Sequence, residues 1–335
     1  MHDVAKLAGV SIKTVSNVIN DYQYLKPETR QKVLDAIERL GYRPNLSARG
    51  LRSGRTGVIS LIIPTITNAY FAELADEVMR AADAKGLSVI IEQSNGDRDR
   101  ELSLLTGPRT SMIDGILYSV LGLREEEAHL LANIDTPIVL LGDRIFNGPT
   151  DHVAMQNSAS TRAATAYLLS LGRKRVVAFG AHSGEVIGSA GLRLDGYREA
   201  LAEARVAFDP SLVIEVYEWF RSDGARAMRA LLDSGVAFDG IVAFNDLIGL
   251  GAMRVMQEAG IRIPEDVAVV GFDDIDETRY SLPSLTTINP GKDEIARVAV
   301  QFLQERIAQG AHAIAPREYL AAFSLVERES TAVAS

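Results

Sequence analysis

Ser11, Ile12, Lys13, Thr14, Ser16, Asn17 and Asn20 gather hydroxyls, amides and an ammonium into one short stretch, "SIKTVSNVIN". Val15, Val18 and Ile19 run between them at helical spacing and form an apolar stripe, which leaves the polar set on the other side. Such groups donate and accept hydrogen bonds; they do not form a nucleophile–base pair or a metal-ligand set. Just upstream, Val4, Leu7 and Ala8 make the apolar face of another short helix. Gly9 can take the positive φ that ends that helix, and Ser11 can cap the next. Two helices too short to persist alone, joined by a tight turn, read as a helix-turn-helix. From the residue pattern alone, the polar set reads as a solvated face, with a binding face as the alternative.

Nothing else in the chain points to catalysis. There is no cysteine, which removes disulfides, thiolate nucleophiles and cysteine-based zinc sites. His2, His129, His152, His182 and His312 are scattered without ligand spacing. No G-x-G-x-x-G follows a strand, and phosphate-loop, G-x-S-x-G and H-E-x-x-H patterns are missing. No enzyme, cofactor or metal is expected. The apolar run "GVISLIIP" is strand-length and far short of a bilayer span. The N-terminus has no basic segment followed by an apolar region, so a cytoplasmic location without a membrane partner is expected. The net charge of -9 hides an asymmetry: residues 1–56 carry +5 and the remainder -14. A basic module on an acidic body suits an N-terminal nucleic-acid binder.

The positioning elements follow from the rest of the pattern. "KPETRQKVLDAIERLG" predicts a third helix, with Pro27 at its first turn, Val33, Ile37 and Leu40 as its stripe and Gly41 at its end. "YRPNLSARGLRSGRTG" reads as a linker. From Gly57 onward, short apolar runs such as "GVISLIIP", "TPIVLLG" and "DVAVVGF" alternate with helical segments, which implies parallel sheets covered on both faces. The stretch "GDRDRE", Gly96 to Glu101, reads as a solvated loop and helix start. A chain of 335 residues is too long for one core. The predicted fold class is an all-α helix-turn-helix head followed by an α/β body of two doubly wound parallel-sheet subdomains.

With these elements in order, the chain resembles the LacI/GalR (lac repressor-type) family of transcription regulators. "DVAKLAGVSIKTVSNVIN", followed at the family's usual distance by "TRQKVLDAIERLGYRPNLSARGLRSGRT", carries the likeness in the head. "NAYFAEL", "GLRLDGYREAL", "AFNDLIGLGAM", "VVGFDDI" and "PSLTTINP" carry it in the body. The resemblance implies a DNA-binding domain over 1–43, a hinge over 44–56, and an effector-binding and dimerisation domain over 57–335. That last domain would have an N-subdomain at about 57–156 and 289–319, and a C-subdomain at about 157–288 and 320–335. Its body is similar to a periplasmic sugar-binding protein.

It further implies that the second helix enters the major groove, with Ile12, Lys13 and Asn17 reading bases and Ser11, Thr14, Ser16 and Asn20 contacting phosphate. In the hinge, Leu51 would wedge into the minor groove, Ala48 would let two hinge helices approach, and Asn45 and Arg49 would hold the backbone. Tyr70, Phe71, Asp143, Ser189, Arg193, Trp219, Asn245 and Asp273 would contact the effector, expected to be a sugar or sugar derivative. A purine or nucleoside effector, or a transport-type sugar-binding protein, are the alternatives. A two-fold operator requires a homodimer, and no leucine-heptad extension predicts a larger assembly.

Overall fold

Gly9 does take the left-handed conformation, at φ 64°, and sends its N–H back to the Ala5 carbonyl to close helix α1 (His2–Ala8). Ser11 Oγ accepts from the Thr14 N–H at 3.0 Å and so caps α2 (Ile12–Ile19). Pro27 opens α3 (Pro27–Arg39), where its missing N–H costs nothing. The computed structural model describes residues 1–19, 22, 24–42 and 55–332. It divides into two units, Met1–Gly57 and Val58–Ser335. In the first, Val4, Val15 and Val33 are fully buried where the three helices meet, with Ala5, Val18 and Ala36 around them. Leu7 and Leu40, assigned to apolar stripes by their spacing, are 47% and 46% exposed. A core this small is filled by one inward row per helix.

The second unit holds two six-stranded sheets. The first contains β1 (Val58–Ile63), β2 (Ser88–Gln93), β3 (Gly115–Ser119), β4 (Ile138–Leu141), β5 (Asp151–Ala154) and β11 (Glu318–Leu320), in the order β11-β5-β4-β3-β1-β2 and parallel throughout. The second contains β6 (Val176–Ala181), β7 (Val213–Glu215), β8 (Gly240–Ala243), β9 (Ala268–Phe272), β10 (Thr286–Asn289) and β12 (Ser324–Val326), in the order β12-β10-β9-β8-β6-β7. It is parallel except for the antiparallel edge pair β10–β12. The central strands are apolar runs buried on both faces, as parallel sheets clad by helices demand.

Helices α4 (Ala69–Asp83), α5 (Arg98–Thr106) and α10 (Lys292–Gln309) belong with the first sheet. Helices α6 (Asn157–Ser170), α7 (Ser189–Glu203), α8 (Arg221–Asp233) and α9 (Asp246–Glu258) belong with the second. The chain passes between the sheets three times: after β5, after β10 and after β11. Asp151, at the first of these passages, is fully buried and takes Arg306 from α10 at 2.7 Å and Arg317 at 2.8 Å, so the segments that lace the sheets are also tied to one another.

Candidate effector cleft and operator-reading face

Doubly wound sheets leave a crevice beyond the carboxyl ends of their strands, where the chain turns from strand to helix. Here the crevices of the two sheets face each other around a cavity of about 220 Å³. From the first sheet, the turn after β1 brings Tyr70 and Phe71 in the first turn of α4, capped by Asn68, whose side chain accepts from the Tyr70 N–H at 3.0 Å. The turn after β4 brings Asp143 and Arg144. From the second sheet, α7 supplies Ser189 and Arg193, the turn after β7 supplies Trp219, and β8 and β9 run out into Asn245 and Asp273. All eight side chains expected from the sequence line this one cavity.

Arg193 organises the second-sheet side. It is 2% exposed and donates to Asn157 Oδ1 at 2.7 Å, to Met155 Sδ at 3.3 Å and to the Phe244 carbonyl. Its guanidinium lies 3.5 Å from the Phe272 ring centre and 5.2 Å from that of Trp219. Burial pulls its pKa below the ordinary arginine value, against the pull of Asp273 and Asp143. Asn245 caps α9 through Ile248 N–H at 2.9 Å and donates to the Trp219 carbonyl at 3.2 Å, so the helix cap also fixes the indole's backbone. Trp219 Nε1 donates to the Gly180 carbonyl at 3.1 Å, leaving the ring as a wall of the cavity.

The two sides already touch. Ser189 Oγ donates to Asp143 Oδ2 at 2.6 Å across the cleft. Glu73 on α4 receives the Lys292 ammonium at 2.9 Å and the Asp276 N–H at 2.8 Å, while Lys292 also donates to the carbonyls of Asp273 and Asp274.

Asp273 sits at φ 116°, a conformation that L residues rarely adopt, and is 5% exposed. Burial pushes its carboxyl up to about 7, with Glu73 and Asp143 adding to the rise and Arg193 and Lys292 opposing it. Asp246, fully buried behind it, is also raised by burial and by Asp273. Tyr70, the remaining titratable neighbour, is raised by burial first and by Asp273 and Asp143 after it. A pKa raised above the ordinary 3.8 means that the native state holds the proton more tightly than the unfolded chain. The stability from this group is therefore complete below about pH 4 and is lost as the pH rises through about 7. Urea unfolding of the wild type is expected to need less denaturant at about pH 8 than at about pH 6, and Asp273→Asn to flatten that slope. An unchanged slope in the variant would place the titration elsewhere.

The sequence did not flag His182, Glu185, Arg144 or Tyr217, which close one end of the cavity. His182 Nδ1 pairs with Glu185 at 2.7 Å, and its ring stacks on Tyr217 with centroids 5.4 Å apart. Burial raises the Glu185 pKa, but the His182 bond and Arg144 outweigh it and hold the group below the ordinary value. The stretch "AHSGEVIGSAG" reads as a glycine- and serine-rich loop; the available signal was a histidine and a glutamate directly beyond the end of a strand. Glu101 corrects the reading of "GDRDRE" as solvated, because it is fully buried. It accepts from the N–H groups of Leu121 (3.2 Å), Gly122 (2.9 Å) and Leu123 (2.9 Å), from Ser94 Oγ at 3.3 Å and from the Tyr118 hydroxyl. It thereby fixes the loop whose Ser119, Val120 and Leu121 line the cavity.

In the first unit, Ile12 and Lys13 are exposed on α2, and Thr14, Ser16 and Asn17 are half-buried beside them. The hydroxyls of Ser11 and Thr14 share a 2.9 Å hydrogen bond. Asn20, Asn45, Ala48, Arg49 and Leu51 lie outside the described residues.

Comparison with known proteins agrees with this arrangement. Residues 1–45 match the description "Bacterial regulatory proteins, lacI family", and residues 165–331 match "Periplasmic binding protein-like domain". The HTH-type transcriptional regulator RegA of Clostridium saccharobutylicum is 31% identical over 98% of both chains. The chain belongs to the LacI family. This LacI-family protein is accordingly a DNA-binding transcription regulator and not an enzyme. A putative LacI-family regulator from Sanguibacter keddieii is 50% identical, with a TM-score of 0.77 over 83% of this chain and 99% of that one. The transcriptional regulator CelR in complex with cellobiose is 30% identical, with a TM-score of 0.72 over 98% of both chains. Among the described residues of this regulator, no helix is long and apolar enough to cross a membrane.

Proposed function

We propose that this LacI-family protein is a cytoplasmic repressor that binds a palindromic operator as a homodimer and is controlled by a sugar or sugar derivative. One observation carries the reading: a cavity lined from both sheets by aromatic rings, an arginine, an asparagine and carboxylates, in the same chain as a polar-faced α2. Rings that cover apolar sugar faces, beside groups that donate to and accept from hydroxyls, are the usual furniture of a sugar site. The related regulator solved with cellobiose supports the same class. Sheet membership supports subdomains at about 57–156 with 289–319 and at about 157–288 with 320–335. Effector binding would change how these two halves sit across Asp143–Ser189 and Glu73–Asp276, and hence the spacing of two heads. Effector and operator affinities then change reciprocally.

The dimer follows from operator symmetry. It is further supported by apolar side chains left exposed on adjoining elements of the first sheet: Met79 on α4, and Ile90 and Ile91 on β2. In the head, Lys13 and Asn17 would read base edges with apolar help from Ile12, while Ser11, Thr14, Ser16 and Asn20 would position the helix on phosphates. Asn45, Ala48, Arg49 and Leu51 would form the hinge contact in the minor groove.

Fluorescence anisotropy on a palindromic duplex from the chain's own upstream region tests this. Binding is expected to fall steeply with salt and to change when one sugar is added. Lys13→Ala and Asn17→Ala should each weaken it by roughly 10- to 100-fold, equivalent to about 1–3 kcal/mol. Equal affinity for a random duplex at every salt concentration would sink the proposal.

A further inference from the structure

Resting on the reading of the cavity as the effector site, we infer that the effector enters as a hydrogen-bond donor and carries no anionic group. It is a neutral or amino-substituted polyhydroxyl compound rather than a sugar phosphate, a sugar acid or a nucleotide. Asp143 is 4% exposed, and its Oδ2 takes the Ser189 hydroxyl, but its Oδ1 is buried with no hydrogen-bond partner among the described residues. An unmet buried acceptor is costly, and a ligand hydroxyl or ammonium group is what relieves it. Asp273 supplies a second carboxylate on the opposite wall, where its backbone carbonyl rather than its carboxylate engages Lys292.

The cations around the cavity are already committed. Arg193 is held in place by Asn157, Met155 and the Phe244 carbonyl, with its face against Phe272, and the charges that act on it most strongly are the carboxylates of Asp273 and Asp143. Lys292 is held by Glu73 and two carbonyls. Arg144 faces Glu185 at 3.7 Å. Glu185 and Glu218 add further negative charge to the lining. A phosphate or carboxylate would meet several like charges beside cations that other groups already hold in place, and that arrangement rejects a partner more effectively than any missing contact. A site with open acceptors also discriminates strongly against analogues that lack the matching hydroxyl.

The test uses the full chain and two readouts. The first is a matched panel followed by Trp219 fluorescence and thermal shift: neutral hexoses, pentoses and disaccharides, 2-amino-hexoses, hexose 6-phosphates, uronic acids, nucleosides and nucleotides. Binding by a neutral or amino member, with its phosphorylated or acidic counterpart weaker by at least about 100-fold, is the expected result. A phosphate or uronate that binds as tightly as its neutral parent overturns the inference and leaves the sugar-sensing reading intact. A nucleoside that binds while its nucleotide does not upholds the charge rule and overturns the sugar reading. A panel without any binder counts against both. The second readout needs no ligand. Asp143→Asn keeps an acceptor for Ser189 but removes the buried charge, so the melting midpoint of the free protein should hold or rise. A midpoint lowered by several degrees would make Asp143 a clasp between the halves and overturn its role as a waiting acceptor.

Discussion

Glu101→Ala is expected to lower the folding free energy by roughly 3–5 kcal/mol, the range for removing one side of a buried charged network. It would strand the N–H groups of Leu121, Gly122 and Leu123 together with the Tyr118 hydroxyl, all of which now end on one carboxylate. The loop cannot readily repack to satisfy them. A Cβ on Gly122 would lie 2.7 Å from the Arg98 nitrogen, which shows how closely the loop already lies against the start of α5. Because the same loop presents Ser119, Val120 and Leu121 to the cavity, effector affinity should fall by about tenfold or more, the usual consequence of a site held too loosely. Glu101→Gln retains one acceptor oxygen and should recover part of both losses. Urea denaturation followed by the single tryptophan, with effector titration of the same samples, checks the two effects together. Wild-type stability in the alanine variant would mean that the loop finds other acceptors.

Arg193→Ala should cost a similar amount, roughly 3–5 kcal/mol, because it leaves a cavity between Phe272 and Trp219 and removes the cation that offsets Asp273 and Asp143. Its larger consequence is functional. The variant is expected to bind operator with the same salt dependence as the wild type while losing all response to effector, since the head and its α2 are untouched. Arg193→Lys keeps the charge but cannot make the forked contacts to Asn157 and the Phe244 carbonyl, and should respond weakly. Operator titrations with and without effector distinguish the outcomes. A fully responsive alanine variant would reduce Arg193 to a core prop.

These residues also mark where a sequence can and cannot be read. Val4, Val15 and Val33 were legible because a three-helix head leaves little choice of inward row. Leu7 and Leu40 were misplaced because spacing alone does not say which apolar neighbours the small core can admit. Tyr70, Phe71, Arg193, Asn245 and Asp273 were legible because family-like motifs carry them after a strand or near a helix start, where doubly wound sheets present their turns, and Asp143, Ser189 and Trp219 were placed by the resemblance alone. Glu185 and His182 carried no comparable signal, since their partners Arg144 and Tyr217 stand about forty and thirty-five residues away along the chain. Glu101 was misread for a related reason. In "GDRDRE" it is one charge among five, and only the loop folded over it, from Leu121 to Leu123, turns a solvated glutamate into a buried anchor. Charge pattern reports on local surroundings, whereas burial is decided by distant segments.

The three passages between the sheets bear on how the molecule is made. β11 completes one edge of the first sheet and β12 one edge of the second, and only three residues separate them near the end of the described chain. Among the described residues the three-helix head has its buried core within residues 4–36, so it is synthesised before either half of the sensor. Both halves of the sensor must wait for their last strands. A ribosome that stalls or stops before Glu318 therefore leaves two open sheet edges at once, joined to a DNA-reading unit that is already finished.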